Sequence, residues 1–95
     1  MLSVTQTEAF RDWLGSLKDR AAAKKIAQRI VRLQSGLMGD AKFFDGIGEL
    51  RVDFGPGYRV YFVRSGPDLI ILLCGGDKST QRRDVARAQA MAKEI

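Results

Sequence analysis

The 95-residue chain has 16 lysine and arginine residues against 11 aspartate and glutamate residues, no histidine, and a net charge of +5. A hydrophobic fraction of 45% and a charged fraction of 28% are those of a globular protein and exclude an intrinsically disordered chain. The longest apolar stretch, Leu69–Cys74, is far shorter than the roughly 20 residues of a membrane span. Polar residues follow Val4 at once, so we expect no signal peptide. We therefore expect a single cytoplasmic domain over residues 1–95, with the lone Cys74 as a small core residue.

The positive charge favours anionic partners. Nucleic acid comes first among them, because neutralising its phosphates releases condensed counterions. Many small basic proteins bind nothing specific, so the charge alone does not decide between a nucleic-acid partner and a merely basic surface.

A short edge strand at Leu2–Val4 and a first helix at about Thr5–Leu17, capped by Thr5 or Thr7, are predicted at the start of the chain. The apolar side chains of this helix follow the i, i+3, i+4, i+7 spacing of one helix face: Phe10, Trp13, Leu14 and Leu17. The spacing predicts that one side of the helix is buried.

A second helix is predicted from the cap residue Asp19 to about Ser35, with Gly36 ending it. Its apolar stripe comprises Ile26, Ile30, Leu33 and, as a further candidate, Leu37. A basic stripe lies beside the apolar one and is expected to be a solvated face: Lys25, Arg29 and Arg32.

The hydrophobic period changes in the second half of the chain. Leu37–Ile47 is predicted to be a glycine-rich loop. Glu49–Phe54 and Tyr58–Val63 alternate polar and apolar residues around a turn at Gly55–Gly57, which predicts a hairpin. Leu69–Cys74 is apolar throughout, so we expect that strand to be central or covered on both faces.

A last helix is predicted at about Ser79–Lys93. Its candidate core contacts are Val85, Ala88, Met91 and Ala92. Two helices, a three-stranded antiparallel meander and a third helix give an α+β fold. We expect the helices to cover one face of the sheet and to leave the other face partly open.

The strand alternation places candidate functional residues on that open face. If Leu50 and Val60 pack under the helices, then Arg51, Arg59 and Tyr61 project on the other side, with Lys78 near the sheet edge. Guanidinium and ammonium groups stabilise the charge of phosphates, and a tyrosine ring can stack on an RNA base. The alternative is that the two arginines only form cross-strand ion pairs with Glu49 and Asp53.

The run Gly75–Thr80 contains glycines and a Lys-Ser pair but does not match a nucleotide-binding loop, because Leu72 and Asp77 stand where that loop requires glycine. We expect a strand-to-helix turn capped by Asp77 or Ser79. With no histidine, one cysteine and no paired carboxylates at helical spacing, we expect neither a metal nor a cofactor. The absence of histidine also excludes a histidine-pair ribonuclease mechanism.

Four motifs follow one another along the chain: Phe10-x-x-Trp13-Leu14-x-x-Leu17, Gly46-x-x-Glu49-Leu50-Arg51, Gly55-Pro56-Gly57-Tyr58-Arg59-Val60-Tyr61-Phe62 and Gly75-Gly76-Asp77-Lys78-x-x-Gln81-x-x-Asp84. Together they resemble the phage-associated, HigB-like "addiction module killer protein" branch of the RelE/ParE toxin superfamily. The resemblance extends from about Val4 to Ala92, and the second and third motifs are its most specific part.

The resemblance implies a RelE-like microbial RNase fold with its active site on the concave sheet face. It implies the toxin of a type II toxin–antitoxin pair, a metal-independent endoribonuclease that cuts mRNA in the ribosomal A site by attack of the 2′-hydroxyl on the adjacent phosphate. By motif, Arg51 and Arg59 would bind the reacting phosphate, Tyr61 would stack on or orient the substrate, and Lys78 would add charge or transfer a proton. Further RNA contacts would come from Gln81, Arg82 and Arg83.

The resemblance also implies partners, namely the ribosome, mRNA and a cognate antitoxin, which we expect to be of the helix-turn-helix type. Two other functions stay open: a ParE-like toxin that poisons DNA gyrase without cutting RNA, and an inactive remnant that only binds an antitoxin. Several members of the superfamily use a histidine as general base. In this chain Glu49, Asp84 and Lys78 are the alternatives, and the sequence does not select among them.

Overall fold

A computed structural model describes residues 2–95. The elements in chain order are β1 (Ser3–Gln6), α1 (Glu8–Ser16), α2 (Arg20–Gln34), β2 (Ala41–Phe44), β3 (Ile47–Val52), β4 (Tyr58–Ser65), β5 (Leu69–Asp77), a 3-10 turn (Lys78–Thr80) and α3 (Gln81–Lys93). The strands form one five-stranded sheet in the order β1-β5-β4-β3-β2. Strand β1 runs parallel to β5, and the other neighbours are antiparallel. The predicted α+β class is confirmed.

The first two helices begin at polar cap residues. The Thr7 hydroxyl accepts a hydrogen bond from the Phe10 amide at 3.0 Å, and the Asp19 carboxylate accepts from the amides of Ala21 and Ala22. Such side chains stabilise a helix start because its first amides have no partner within the helix. Helix α1 begins later than predicted, since the residues before Thr7 pair with β5 as the parallel strand β1.

The predicted loop at Leu37–Ile47 is partly wrong, because its second half forms a hairpin. Strand β2 pairs with β3 through the two-residue turn Asp45-Gly46, in which both residues have positive φ (47° and 83°). Asp-Gly is a preferred pair for such a turn. Leu37 is 63% exposed and does not extend the apolar stripe of α2, because Gly36 (φ 82°) ends the helix before it.

One hydrophobic core lies between the first two helices and the sheet. Its buried members are Phe10, Ala22, Ile26, Ile30, Leu33, Leu50, Val52, Tyr58, Val60, Phe62, Ile70 and Leu72. The predicted inward faces of α1, α2, β3 and β4 are therefore correct. As expected for an apolar strand, β5 lies inside the sheet between β1 and β4.

A second core lies on the opposite face of the sheet, where α3 packs. Its buried members are Ile47, Tyr61, Leu73, Cys74 and Ala88, with Val85, Met91 and Ala92 packed against them. The expectation that the helices cover one face only is wrong, because β5 projects apolar side chains to both faces and α3 shields the second set. None of the helices within residues 2–95 combines the length and apolar character that crossing a membrane requires.

Candidate functional site

Two arginines face each other across neighbouring strands. Arg51 on β3 and Arg59 on β4 are register partners, so their guanidinium groups leave the sheet on the same face. Like charges placed directly opposite each other destabilise a sheet unless other groups neutralise them. Each arginine has a carboxylate partner, and the two partners differ in burial.

The partner of Arg51 is Asp40, in the segment between α2 and β2. The Nη2 and Nε atoms of Arg51 donate to Oδ1 of Asp40 at 2.8 and 3.1 Å. The two side chains are 44% and 54% exposed, so water screens the pair and its net contribution to stability is at most about 1 kcal/mol. An incoming anion could displace Asp40 at little cost.

The partner of Arg59 is Glu49, as the alternative interpretation of the sequence had it. Nε of Arg59 lies 3.6 Å from Oε1 of Glu49, and the two side chains are only 12% and 1% exposed. Nη1 of Arg59 donates to the carbonyl oxygen of Gly57 at 2.8 Å. The guanidinium is thus held at two points, which fixes its orientation.

Arg51, Arg59 and Lys78 line one open depression with a volume of about 380 Å³, which we call the arginine groove. Its other lining residues are Asp40, Val52, Asp53, Gly57 and Tyr58. Gly57 has a φ of 81°, and a Cβ at this position would lie 3.3 Å from Nη1 of Arg59 and 3.7 Å from Cβ of Lys78. The glycine therefore both makes the turn and gives room for the two cationic side chains.

Asp77 ends β5 beside the groove and orients the chain toward α3. Its carboxylate accepts a hydrogen bond from the Ser79 amide at 2.8 Å, which confirms the predicted cap. The hydrogen bond from the Ser79 hydroxyl lowers the pKa of Asp77 below its ordinary value; burial opposes this shift, and the hydrogen bond from the Ser79 amide adds to it. The turn places Lys78 at the groove and begins α3 three residues later.

Tyr61 does not lie on an open surface, and that prediction is wrong. Its ring is fully buried beneath α3, where it packs in the second core with Ile47, Leu73 and Ala88. Burial raises the pKa of its phenol well above the ordinary value, and the nearby charges of Glu49 and Asp84 raise it further. The hydroxyl has no hydrogen-bond partner within residues 2–95. A ring in this position does not stack on an RNA base.

The three residues predicted as further RNA contacts divide between two places. The Gln81 amide turns inward and donates to Oε2 of Glu49 at 3.1 Å. Arg82 and Arg83 are exposed and line a separate depression with Ser79 and Thr80. Within the described part of the chain, no group of three or more potential ligands is placed to hold a metal ion.

Residues 12–94 match the family described as "Phage derived protein Gp49-like (DUF891)". The chain belongs to this Gp49-like family. A Haemophilus influenzae protein described as "Uncharacterized protein" is 50% identical to it over 95 residues, which cover 99% of this chain and 96% of the relative. The matched range contains the whole arginine groove and α3.

The three candidate general bases of this Gp49-like protein have different surroundings. Glu49 is buried between Arg59 and Gln81, and Asp84 is buried and accepts a hydrogen bond from the Thr80 hydroxyl. Of the three, Lys78 alone lines the groove. The sequence reasoning missed Asp40, because it lies between α2 and β2 where no periodic pattern marks it.

Proposed function

We propose that this Gp49-like protein is the toxin of a type II toxin–antitoxin system and cuts mRNA on the ribosome. The observation that carries the proposal is the pair of facing arginines, Arg51 and Arg59, with Lys78 lining the same groove. The membership of a phage-derived family and the resemblance of the sequence motifs to the RelE/ParE superfamily support it. A toxin of this kind needs a neutralising partner, which we expect to be a helix-turn-helix antitoxin.

The proposed reaction uses the message's own 2′-hydroxyl. Its oxygen forms a bond to the adjacent phosphorus, and the bond from phosphorus to the 5′-oxygen breaks. The products are a 2′,3′-cyclic phosphate and a free 5′-hydroxyl, so the 2′-hydroxyl loses a proton and the 5′-oxygen gains one. Arg51 and Arg59 would bind the non-bridging oxygens and stabilise the charge that grows on them. Lys78 would donate a proton to the 5′-oxygen, and water would take up the proton that the 2′-hydroxyl loses.

The pairing of the groove arginines fits a reaction that depends on the ribosome. A phosphate would replace Asp40 on Arg51, since that ion pair is exposed and weak. It would not replace Glu49 on Arg59, because breaking a buried ion pair costs about 3–5 kcal/mol. A groove whose two arginines are already paired with carboxylates binds free RNA weakly. The ribosome would then supply the alignment on which phosphoryl transfer mainly depends.

The second candidate function is poisoning of DNA gyrase by binding, without cleavage of RNA. The burial of Tyr61 favours this second function, because the ring that was expected to stack on an RNA substrate is not accessible to one. An inactive protein that only binds an antitoxin would carry the same groove. A translation assay separates both of these functions from an mRNA endonuclease, because neither cuts the message.

The test is a purified bacterial translation system with a defined message, in which new 5′ ends are mapped by primer extension with and without ribosomes. The wild-type chain is compared with Arg51→Ala, whose half-exposed side chain can be lost without unfolding the protein. Arg64→Ala is the matched control, since Arg64 is an exposed arginine on β4 that does not line the groove. Arg59→Ala and Lys78→Ala complete the series.

The proposal predicts new 5′ ends that need ribosomes, a loss of about 10²–10³-fold in cleavage rate for Arg51→Ala, and wild-type cleavage for Arg64→Ala. An intact message with unaffected translation would contradict it, and a gyrase cleavage assay would follow. Cleavage that persists in every groove variant would show that the protein is a nuclease whose active site lies outside the arginine groove.

A further inference from the structure

Three side chains connect α3 to the groove. Nε2 of Gln81 donates to Oε2 of Glu49 at 3.1 Å, and Oε1 of Glu49 lies 3.6 Å from Nε of Arg59. We infer that Gln81 and Glu49 are positioning residues, which hold the Arg59 guanidinium in the orientation that binds the reacting phosphate. The inference rests on the proposed function for its consequence in catalysis, and on the geometry alone for the positioning.

Burial makes this chain of contacts stiff. The Glu49 side chain is 1% exposed, and a carboxylate removed from water must be paired and hydrogen-bonded to remain charged. Within residues 2–95 Gln81 supplies its side-chain hydrogen bonds and Arg59 its ion pair. Glu49 therefore has a hydrogen-bond donor on one side, Gln81, and a counter-charge on the other, Arg59, which leave it little freedom to rotate.

Arg59 is held on its inner side and free on its outer side. Nε is buried next to Glu49, and one N–H of Nη1 is used by the Gly57 carbonyl. A guanidinium has five N–H donors in a planar fork, so the remaining donors are available to the groove. If Glu49 rotated, the inner side of the fork would lose its counter-charge and the outer donors would lose their direction.

Gln81 is the first residue of α3, so the packing of this helix on the sheet sets the position of the Gln81 side chain. Two residues of α3 press on the sheet close to this point, Asp84 against Gly76 and Ala88 in the second core. The packing of α3 on the sheet therefore holds the Gln81 amide within hydrogen-bond distance of Glu49. This arrangement assigns Gln81 a role inside the protein, in place of the RNA contact that the sequence motif suggested.

The experiment compares Gln81→Ala with Gln89→Ala. Gln89 lies on the same helix and also donates its amide to a carboxylate, Asp45 at 3.4 Å, but that pair is exposed and does not contact the groove. One arm records the ¹H–¹⁵N signal of Arg59 Nε by NMR, assigned from its loss in Arg59→Lys. The other arm measures single-turnover cleavage of ribosome-bound message at increasing toxin concentration. Circular dichroism and urea midpoints show that both variants are folded.

The inference predicts that Gln81→Ala shifts the Arg59 Nε signal and speeds its exchange with water, whereas Gln89→Ala leaves it unchanged. It predicts a fall of about 10–100-fold in the maximal single-turnover rate, with the half-saturating toxin concentration within about twofold of wild type, because a displaced arginine affects the transition state more than binding. In a Glu49→Gln background, adding Gln81→Ala should lower the cleavage rate by less than about a further twofold, because Gln81 acts on Arg59 through Glu49.

An Arg59 Nε signal that is the same in Gln81→Ala and wild type would overturn the positioning role. A loss of maximal single-turnover rate as large in Gln89→Ala as in Gln81→Ala would also overturn it, by showing a general effect of α3. The NMR arm decides the positioning even if the wild-type protein cuts no message. In that case the proposed function fails while the positioning of Arg59 stands.

Discussion

Gly76 lies near the end of β5, where Asp84 of α3 packs directly against the strand. A Cβ at this position would lie 1.9 Å from Oδ2 of Asp84 and 3.0 Å from Oγ1 of Thr80, whereas ordinary van der Waals contact is 3.4–4 Å. Asp84 is buried and cannot swing into solvent while α3 stays docked. The substitution Gly76→Ala therefore forces the start of α3 away from the sheet and breaks the hydrogen bond between Thr80 and Asp84.

The size of the effect follows from those two losses. Forcing one extra carbon into a packed interior costs about 1–3 kcal/mol. A hydrogen bond to a charged group contributes about 1.5–3 kcal/mol, and Asp84 would lose the one it accepts from Thr80. We expect Gly76→Ala to lower the free energy of unfolding by about 3–5 kcal/mol, near the upper end for a single substitution.

Urea melting followed by circular dichroism measures this difference, and Gly15→Ala is the control. Gly15 lies in α1 with no atom within 4 Å of an added Cβ, so alanine should stabilise the protein there by up to about 1 kcal/mol. Equal urea midpoints for Gly76→Ala and the wild type would refute the close packing of α3 on β5.

Four further outcomes are expected. Leu72→Ala should lower the free energy of unfolding by about 2–5 kcal/mol in urea melts, because Leu72 is fully buried in the first core. Arg29→Ala should lower it by about 2–3 kcal/mol, because the Arg29 guanidinium donates to the carbonyls of three other residues. The control Arg32→Ala, at an exposed arginine of the same helix, should lower the free energy of unfolding by less than about 1 kcal/mol. Tyr61→Phe should raise it by up to about 1 kcal/mol, because the lost hydroxyl is buried without a partner; a decrease would mean that the hydroxyl is hydrogen-bonded in solution. Burial raises the pKa of Cys74 from 9.0 to about 11, so above pH 9 the unfolded chain releases a proton that the folded chain keeps. Stability should therefore fall between pH 9 and 11, and urea melts of a Cys74→Ala variant should lack that part of the decline.

Much of the fold was predictable because burial leaves a periodic trace in the sequence. The stripes of α1 and α2 and the alternation of β3 and β4 gave the first core correctly. The fully apolar stretch in β5 indicated cover on both faces, and the structure supplies it with helices on each side. The error lay in placing all helices on one face, although an apolar strand already required apolar partners on both.

Strand β2 shows why short edge elements escape such reasoning. Its four residues, Ala41–Phe44, do not alternate in polarity, and Phe43 is exposed. The Asp45-Gly46 pair beside it was a usable signal, since this dipeptide favours a two-residue hairpin. The dipeptide alone does not predict a hairpin, because the residues before it show no recognisable strand pattern.

The candidate site was predictable in its strand residues and not in its partners. Alternation placed Arg51 and Arg59 on one face, and the register confirms that they are opposite each other. The same alternation put Tyr61 beside them, but whether that face is open depends on where α3 docks, which is a tertiary fact. The contacts of Arg29 with distant carbonyls and of Gln81 with Glu49 are likewise long-range, so the local pattern could not reveal them.

The measurement that tests the central claim most directly uses a ribosome-bound message with a single 2′-deoxyribose at the nucleotide 5′ to the mapped cleavage position. The proposed chemistry needs the 2′-hydroxyl at that position as nucleophile, so the all-ribose message should be cut and the substituted one should stay intact. The cut message should carry a 2′,3′-cyclic phosphate on one fragment and a free 5′-hydroxyl on the other. Equal cleavage of both messages would contradict the proposed chemistry, and no cleavage of either would contradict the nuclease function itself.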